Sequence, residues 1–287
     1  MGRVAIVTDS SACLPPDLVS GLGIHVVPLR FFIDGRSFLD GIDITATDVY
    51  RLLPCTRELP TTSAPTPSDY CAALHRASAT HESALVITIT RRFSGMYQSA
   101  TMAAATARES LKHLQVTVID SGTAAGAEGL VVLNAARVAA EGGSHGEVCF
   151  AARETMERVE LVATLDTLYY LARSGRVPMA VHWANSAVRV NPIFRIRPLS
   201  GEAKTARVAR GRESAIRQML ELMEQRTRTG TLHAVVFHSD CLGEAELLRD
   251  RVAGMFRFDE LHVSDFTPAM GIHTGPGVLG LAYYTTN

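Results

Sequence analysis

The sequence predicts an α/β protein: an N-terminal α/β domain built on a parallel sheet, followed by a C-terminal α/β domain whose sheet is mixed or antiparallel. Three observations lead there. Strand-like segments alternate with helix-like ones along most of the 287 residues. The strands in the first half, such as "VAIVTD" and "ALVITIT", are continuous apolar runs, which suits strands covered by helices on both faces. In the second half "NPIFRIRPLSGEAKTARVARG" reads as two strands joined by a Ser-Gly-Glu turn, which brings in antiparallel pairing.

The elements follow in order. "RVAIVTDS" is a strand that ends in small polar residues, and "PPDLVSGLG" has the proline start and glycine stop of a short helix. "IHVVPLRFFID" is a second strand region, and the Asp-Gly of "DGRSF" turns it back so that residues 29–39 pair antiparallel. "ITATDVYRLLP" is a helix capped by Thr45 or Thr47, and "TPSDYCAALHRASA" is another. Next come the strand "ALVITIT", the helix "SGMYQSATMAAATARESL", the strand "VTVIDS" and the glycine-closed helix "AAGAEGLVVLNAARVAAEGG". Beyond "SHGEVCFAARETMERV" the order is strand "LVATLD", helix "TLYYLARSG", the two paired strands, helix "RESAIRQMLELMEQ", strand "HAVVFHSD", helix "GEAELLRDRVAGMF" and strands "ELHVSDF" and "GVLGLAYYT". With no Pro/Ser-rich linker, the change from parallel to mixed character places the domain boundary near residue 157, giving units 1–157 and 158–287.

Composition excludes several classes of function. The net charge is −1, from 28 basic and 29 acidic residues without blocks of like charge, which gives a nucleic acid no cationic face to bind. Aromatic content of 6% leaves few stacking platforms for single strands. Only Lys112 and Lys204 are lysines, neither in an apolar run, so Schiff-base chemistry is unsupported, and no P-loop occurs. Five scattered cysteines without a C-x-x-C pair argue against a zinc site or a disulfide framework and fit a reducing compartment. No apolar run reaches the ~20 residues of a membrane span, and the first strand follows Met1 closely. The expectation is a soluble cytoplasmic protein that holds no metal and touches a membrane only transiently.

The residues that carry chemistry gather where strands end, the place at which open α/β sheets bind ligands. Ser94 opens a helix directly after an apolar strand, with Gly95 beside it. It could cap the helix, act as a nucleophile or hold an anion. The nucleophile elbow requires G-x-S-x-G, and "RFSGM" has Arg92 and Met96 at its glycine positions. A hydrolase would then have to assemble Ser94 with a distant histidine such as His238 or His273. A nucleotide-binding module, suggested by Asp9 and Asp120, lacks a G-x-G-x-x-G. As an anion hook, a serine and glycine at a helix start offer a hydroxyl and free N–H groups in a favourable dipole. "PTTSAPTP" sets three hydroxyls in a proline-bounded loop, and "GIHTGPG" places His273 among glycines and a proline.

Those stretches in that order, with "VAIVTDSSACLP", "LYYLARSGRVP", "VARGRESAI" and "HTGPGVLGLAYY", resemble the DegV family of fatty-acid-binding proteins over nearly the whole chain. The resemblance implies a two-domain binder rather than an enzyme. It would bury one long acyl chain in a tunnel, with no cofactor beyond that ligand. Thr62, Ser63, Ser94 with the Gly95 amide, and His273 would hold the carboxylate. It further implies that a separate ATP-dependent fatty acid kinase, as in bacterial systems, phosphorylates the presented carboxylate, and that Arg176 of "SGRVP" contacts that partner.

Overall fold

The computed structural model describes residues 4–185, 190–227 and 230–286; Arg3, which opens the first expected strand, lies outside them. The first half runs β1 (Val4–Asp9), α1 (Pro16–Gly21), β2 (His25–Val27), β3 (Arg30–Ile33), β4 (Arg36–Leu39), α2 (Ala46–Leu52), β5 (Thr61–Ser63), α3 (Pro67–Ser78), β6 (Ser83–Thr88), α4 (Met96–Ser110), β7 (Gln115–Asp120), α5 (Ala125–Ala140) and α6 (His145–Arg158). The second runs β8 (Glu160–Leu165), α7 (Tyr169–Ser174), α8 (Met179–Ala184), β9 (Asn191–Ile196), β10 (Ala203–Ala209), α9 (Arg212–Arg226), β11 (Thr231–His238), α10 (Leu242–Met255), β12 (Phe258–Asp265), α11 (Pro268–Thr274) and β13 (Val278–Thr286).

Strands β2-β1-β6-β7 form an all-parallel sheet. One face packs on α3 and α4, whose Tyr70, Leu74, Ala100, Ala103 and Ala107 meet Val7, Ala84 and Val86. Small alanines on α4 let that helix lie close to the sheet. The other face lies on α5. A mixed sheet of order β10-β9-β8-β13-β11-β12 follows, with α9 and α10 on its outer face. Its β11–β12 pair is parallel and its other pairs are antiparallel.

Helix α5 lies between the two sheets, and its sequence explains how. It is apolar nearly all round, the pattern of a helix buried on every side, and residues 125–133 are buried without a break. Two of its glycines permit close approach on different sides. A Cβ on Gly126 would sit 3.1 Å from Val235 of β11, and one on Gly129 would sit 2.8 Å from the carbonyl oxygen of Ala12. At its far end Arg137 makes a two-pronged ion pair with the buried Glu260 of β12, Nη1 donating to Oε1 at 2.6 Å. His233 and His262 also bond Glu260.

A third, small sheet of order β4-β3-β5 covers one end of the interlayer space. The hairpin β3–β4 pairs Arg30 with Leu39 through Ile33 with Arg36. Asp34 (φ 46°) and Gly35 (φ 78°) fill its tip, both with positive φ as a type I′ turn requires. Three segments differ from the sequence expectation, one of them the helix α8, which stands where the sequence predicts no element. The proline-bounded "TTS" is the strand β5, and "GIHT" closes the helix α11, begun by Pro268.

Candidate functional site

A cavity of about 350 Å³ opens between the sheets, within the ~300–1,000 Å³ range of ligand sites. One wall comes from the carboxyl ends of the parallel strands and the loops after them: Ser11, Ile89, Phe93, Ser94, Ala124 and Ala125. The facing wall is the inner face of the mixed sheet. There Leu161, Ala163 and Leu165 of β8, Phe194 and Ile196 of β9, Phe237 of β11 and Val278 of β13 point inward. Alternate residues on the same strands (Val162, Ile193, Val236, Leu279) point outward into the α9/α10 core, as the two-residue period of a strand dictates. Among the described residues no acidic side chain lines the cavity.

Thr62 on β5 and His273 on α11 meet on the cavity lining with Arg176, from the turn after α7, near them, and Ser94 and Gly95 before α4 line the same cavity. Thr62 is the middle residue of β5 and pairs with Phe31 in register, so its side chain turns in while those of Thr61 and Ser63 turn out. Thr62 Oγ1 lies 2.8 Å from Nε2 of His273. Burial and the nearby Arg176 charge lower the His273 pKa to about 4, so the ring is neutral at pH 7 and carries one N–H. Two tautomers satisfy this contact. If Nε2–H donates to Thr62, the threonine proton is free for an incoming acceptor.

Ser94 is half-buried and lines the cavity with Gly95. Gly95 occupies the N-cap position of α4, and no side chain bonds there. The serine is therefore not the helix cap. The first turn of α4 keeps its unpaired N–H donors, and Gly95 and Met96 line the cavity. Arg176 follows Gly175, whose left-handed φ of 72° ends α7 and redirects the chain. The guanidinium bonds the Ser174 carbonyl through Nη1 at 2.5 Å, is exposed, and lines the cavity. It forms no ion pair with a carboxylate among the described residues. The hydroxyl-and-amide pattern in the sequence required no cation; the fold places one there.

Thr62, Ser94, Gly95, Arg176 and His273 thus border one cavity. Ser63 does not: it is exposed, and its hydroxyl donates to the Ala64 carbonyl at 3.1 Å. Its place on β5, one residue from Thr62, turns it away. Sequence reasoning missed Ser11 and Thr274, which also line the cavity. The strand-end "TDSS" was a signal for Ser11. Its hydroxyl donates to the buried Asp9 and lies 3.1 Å from Oε2 of the buried Glu128. Asp9 also accepts from the N–H groups of Ser11 (3.0 Å) and Ile89 (3.2 Å). The serine has one proton for two carboxyl groups, so the second contact requires Glu128 to keep its own proton. Burial, and then the Asp9 charge, push the Glu128 pKa well up; burial also raises Asp9 to about 6.

A family model described as "Uncharacterised protein, DegV family" matches residues 3–286 of the chain. The chain belongs to the DegV family. A DegV domain-containing protein of Caldanaerobacter subterraneus is 32% identical over 292 residues, covering 99% of both chains. One from Streptomyces coelicolor is 31% identical over 284 residues, covering 97% of each. Among solved structures, a DegV family protein from Thermus thermophilus described by its fatty acid binding superposes with a TM-score of 0.90 at 28% identity. That match covers 99% of this chain and all (100%) of the other. DegV of Bacillus subtilis, described as a fatty acid binding protein, gives 0.88 at 25% identity with 100% of both chains covered. The α/β architecture with one parallel and one mixed sheet is thus that of the DegV structures. Among the described residues no helix is long and apolar enough to cross a membrane, and no group of three or more His, Cys, Asp or Glu is placed to hold a metal.

Proposed function

We propose that the protein binds one long-chain fatty acid, buries its hydrocarbon chain between the two sheets, and holds the carboxylate at the Thr62–Ser94–His273 end. The observation that carries this reading is the cavity itself: a mostly apolar chamber, lined by no acidic side chain among the described residues, with hydroxyls, the start of a helix and an arginine on its lining. Relatives of the same fold and family described as fatty acid binding support it. In this reading units 1–157 and 158–287 each supply one wall. Thr62 and Ser94 donate hydroxyl protons to the carboxylate, the Gly95 amide adds a third donor, and neutral His273 orients Thr62. Ser63 contributes at most through its backbone in this geometry.

The protein is then a carrier, with catalysis on a separate ATP-dependent fatty acid kinase that receives the carboxylate at the cavity mouth. Arg176, exposed beside that mouth, is the residue proposed to face the kinase. Arg176→Ala is expected to keep its acyl chain and to be phosphorylated more slowly. Loss of the acyl chain instead would make Arg176 a carboxylate holder. Binding of radiolabelled palmitate to the gel-filtered protein tests the main reading. Near-stoichiometric retention is expected, and no retention at any palmitate concentration would refute it.

A further inference from the structure

The inner face of the mixed sheet contains one row of residues whose sizes run large, absent, small, large. Phe237 of β11 is opposite Gly280 of β13, Gly280 is opposite Ala163 of β8, and Ala163 is opposite Phe194 of β9. Directly opposed residues project on the same side of a sheet. Phe237, Ala163 and Phe194 all line the cavity. The row is therefore a trough floored by Ala163, with the Phe194 ring on one side and, on the other, the Phe237 ring lying over Gly280.

The Phe237 ring depends on the missing side chain at Gly280. A Cβ there would lie 2.1 Å from Cζ and 2.4 Å from Cε2 of that ring, so the ring tip occupies the space a side chain would need. Other sides of the ring have close neighbours. Phe266 stacks on it at 5.4 Å between centroids with an interplanar angle of 10°. On α5, a Cβ added at Gly126 would already be 3.2 Å from Cδ1. Beneath the sheet the α9/α10 core is filled. The free direction is the cavity.

We propose that Gly280 and Ala163 set the length of hydrocarbon chain this cavity admits, Gly280 acting as a positioning residue through Phe237. The inference rests on the fatty-acid reading. Adding one methyl at Gly280 tips the ring into the trough and shortens the space available to the chain. Enlarging Ala163 fills the trough floor directly. Trimming Phe237 has the opposite effect.

The test is a competition. Full-length wild type, Gly280→Ala, Ala163→Leu, Phe237→Leu and the double variant Gly280→Ala/Phe237→Leu are each incubated with an equimolar mixture of laurate, myristate, palmitate and stearate. Unbound lipid is removed, the protein is extracted, and the stearate-to-laurate ratio is read by mass spectrometry. Gly280→Ala and Ala163→Leu are expected to lower that ratio by about tenfold or more, since each excluded methylene loses its share of burial. The double variant is expected to restore it. A folded Gly280→Ala protein with the wild-type ratio, or a double variant that restores nothing, would overturn the proposal. If Gly280→Ala does not fold, opposite shifts in Ala163→Leu and Phe237→Leu decide in its favour and equal ratios decide against it. A wild type that retains no acyl chain removes the fatty-acid reading and this inference together. A loaded wild type whose variants keep its ratio removes the inference alone.

Discussion

The two ends of the cavity are built on different principles. At one end, in the proposed reading, a few donors from the cavity lining hold the carboxylate: Thr62 on β5, Ser94 and Gly95 before α4, Arg176 after α7 and His273 on α11. At the other, apolar side chains from five strands of the mixed sheet face α5 and the ends of the parallel strands. The comparison teaches a division of labour. In the fatty-acid reading each buried methylene contributes about 0.8 kcal/mol before ordering costs, and a hydrogen bond to a charged group contributes about 1.5–3 kcal/mol. A long chain therefore supplies most of the affinity, and the polar end fixes which way round the ligand lies.

The largest effect expected from that division comes from shortening the ligand. Octanoate lacks eight of palmitate's methylenes, so its affinity should fall by at least about a thousandfold even after ordering costs are returned; displacement of a fluorescent fatty acid measures it. Comparable affinities would mean that the polar end dominates. Next in size are the donors. Thr62→Val and Ser94→Ala should each weaken palmitate about ten- to a hundredfold while leaving the chain-length ranking intact. A changed ranking would place those residues along the chain and not at its head.

A smaller effect concerns Ser11, a polar point in the otherwise apolar wall, and the buried Asp9 and Glu128 that contact it from outside the lining. A carboxyl group raised by burial holds its proton in the folded state at pH values where the unfolded chain has released it. Its stabilisation is full below the unfolded pKa and is lost as pH rises through the folded value. For Asp9 that loss runs from the unfolded value of 3.8 to about pH 6, and for Glu128 it extends higher. Glu128→Gln supplies the neutral donor at all pH values. It should leave stability at pH 7 within about 1 kcal/mol of wild type and remove part of the decline toward alkaline pH. Strong destabilisation at pH 7 would show that Glu128 is ionised. The smallest effect is at the mouth. His273, held down to about 4 by burial and Arg176, should not titrate between pH 8 and 6 in an NMR experiment, and palmitate affinity should change less than about twofold there. Its own contribution to stability has the opposite sign to that of Asp9: it is full above the unfolded value of 6.5 and is lost as pH falls through about 4.

Local patterns carried much of this architecture, and non-local ones hid the rest. The apolar runs of β1, β6 and β7 and the Asp34-Gly35 turn state their own structure, and the Ser94-Gly95 helix start announces itself. Strand β5 does not, because three residues between prolines become a strand only through pairing with the distant β3 (Phe31 with Thr62). Without that pairing nothing distinguishes Thr62, which faces the cavity, from Ser63, which does not. The Gly-rich stretch around His273 reads as a connection, yet Pro268 begins a helix there. The trough row was illegible for a topological reason. The last strand, β13, inserts between β8 and β11, so Gly280 meets Ala163 and Phe237 across separations that no periodicity records.

The central claim is that the space between the sheets is an acyl-chain site. Native mass spectrometry of the protein purified without added lipid tests it most directly. The account predicts a mass increment of one fatty acid per chain, released into organic solvent and identified there. A protein that carries no such increment, and acquires none after incubation with mixed fatty acids, would contradict it.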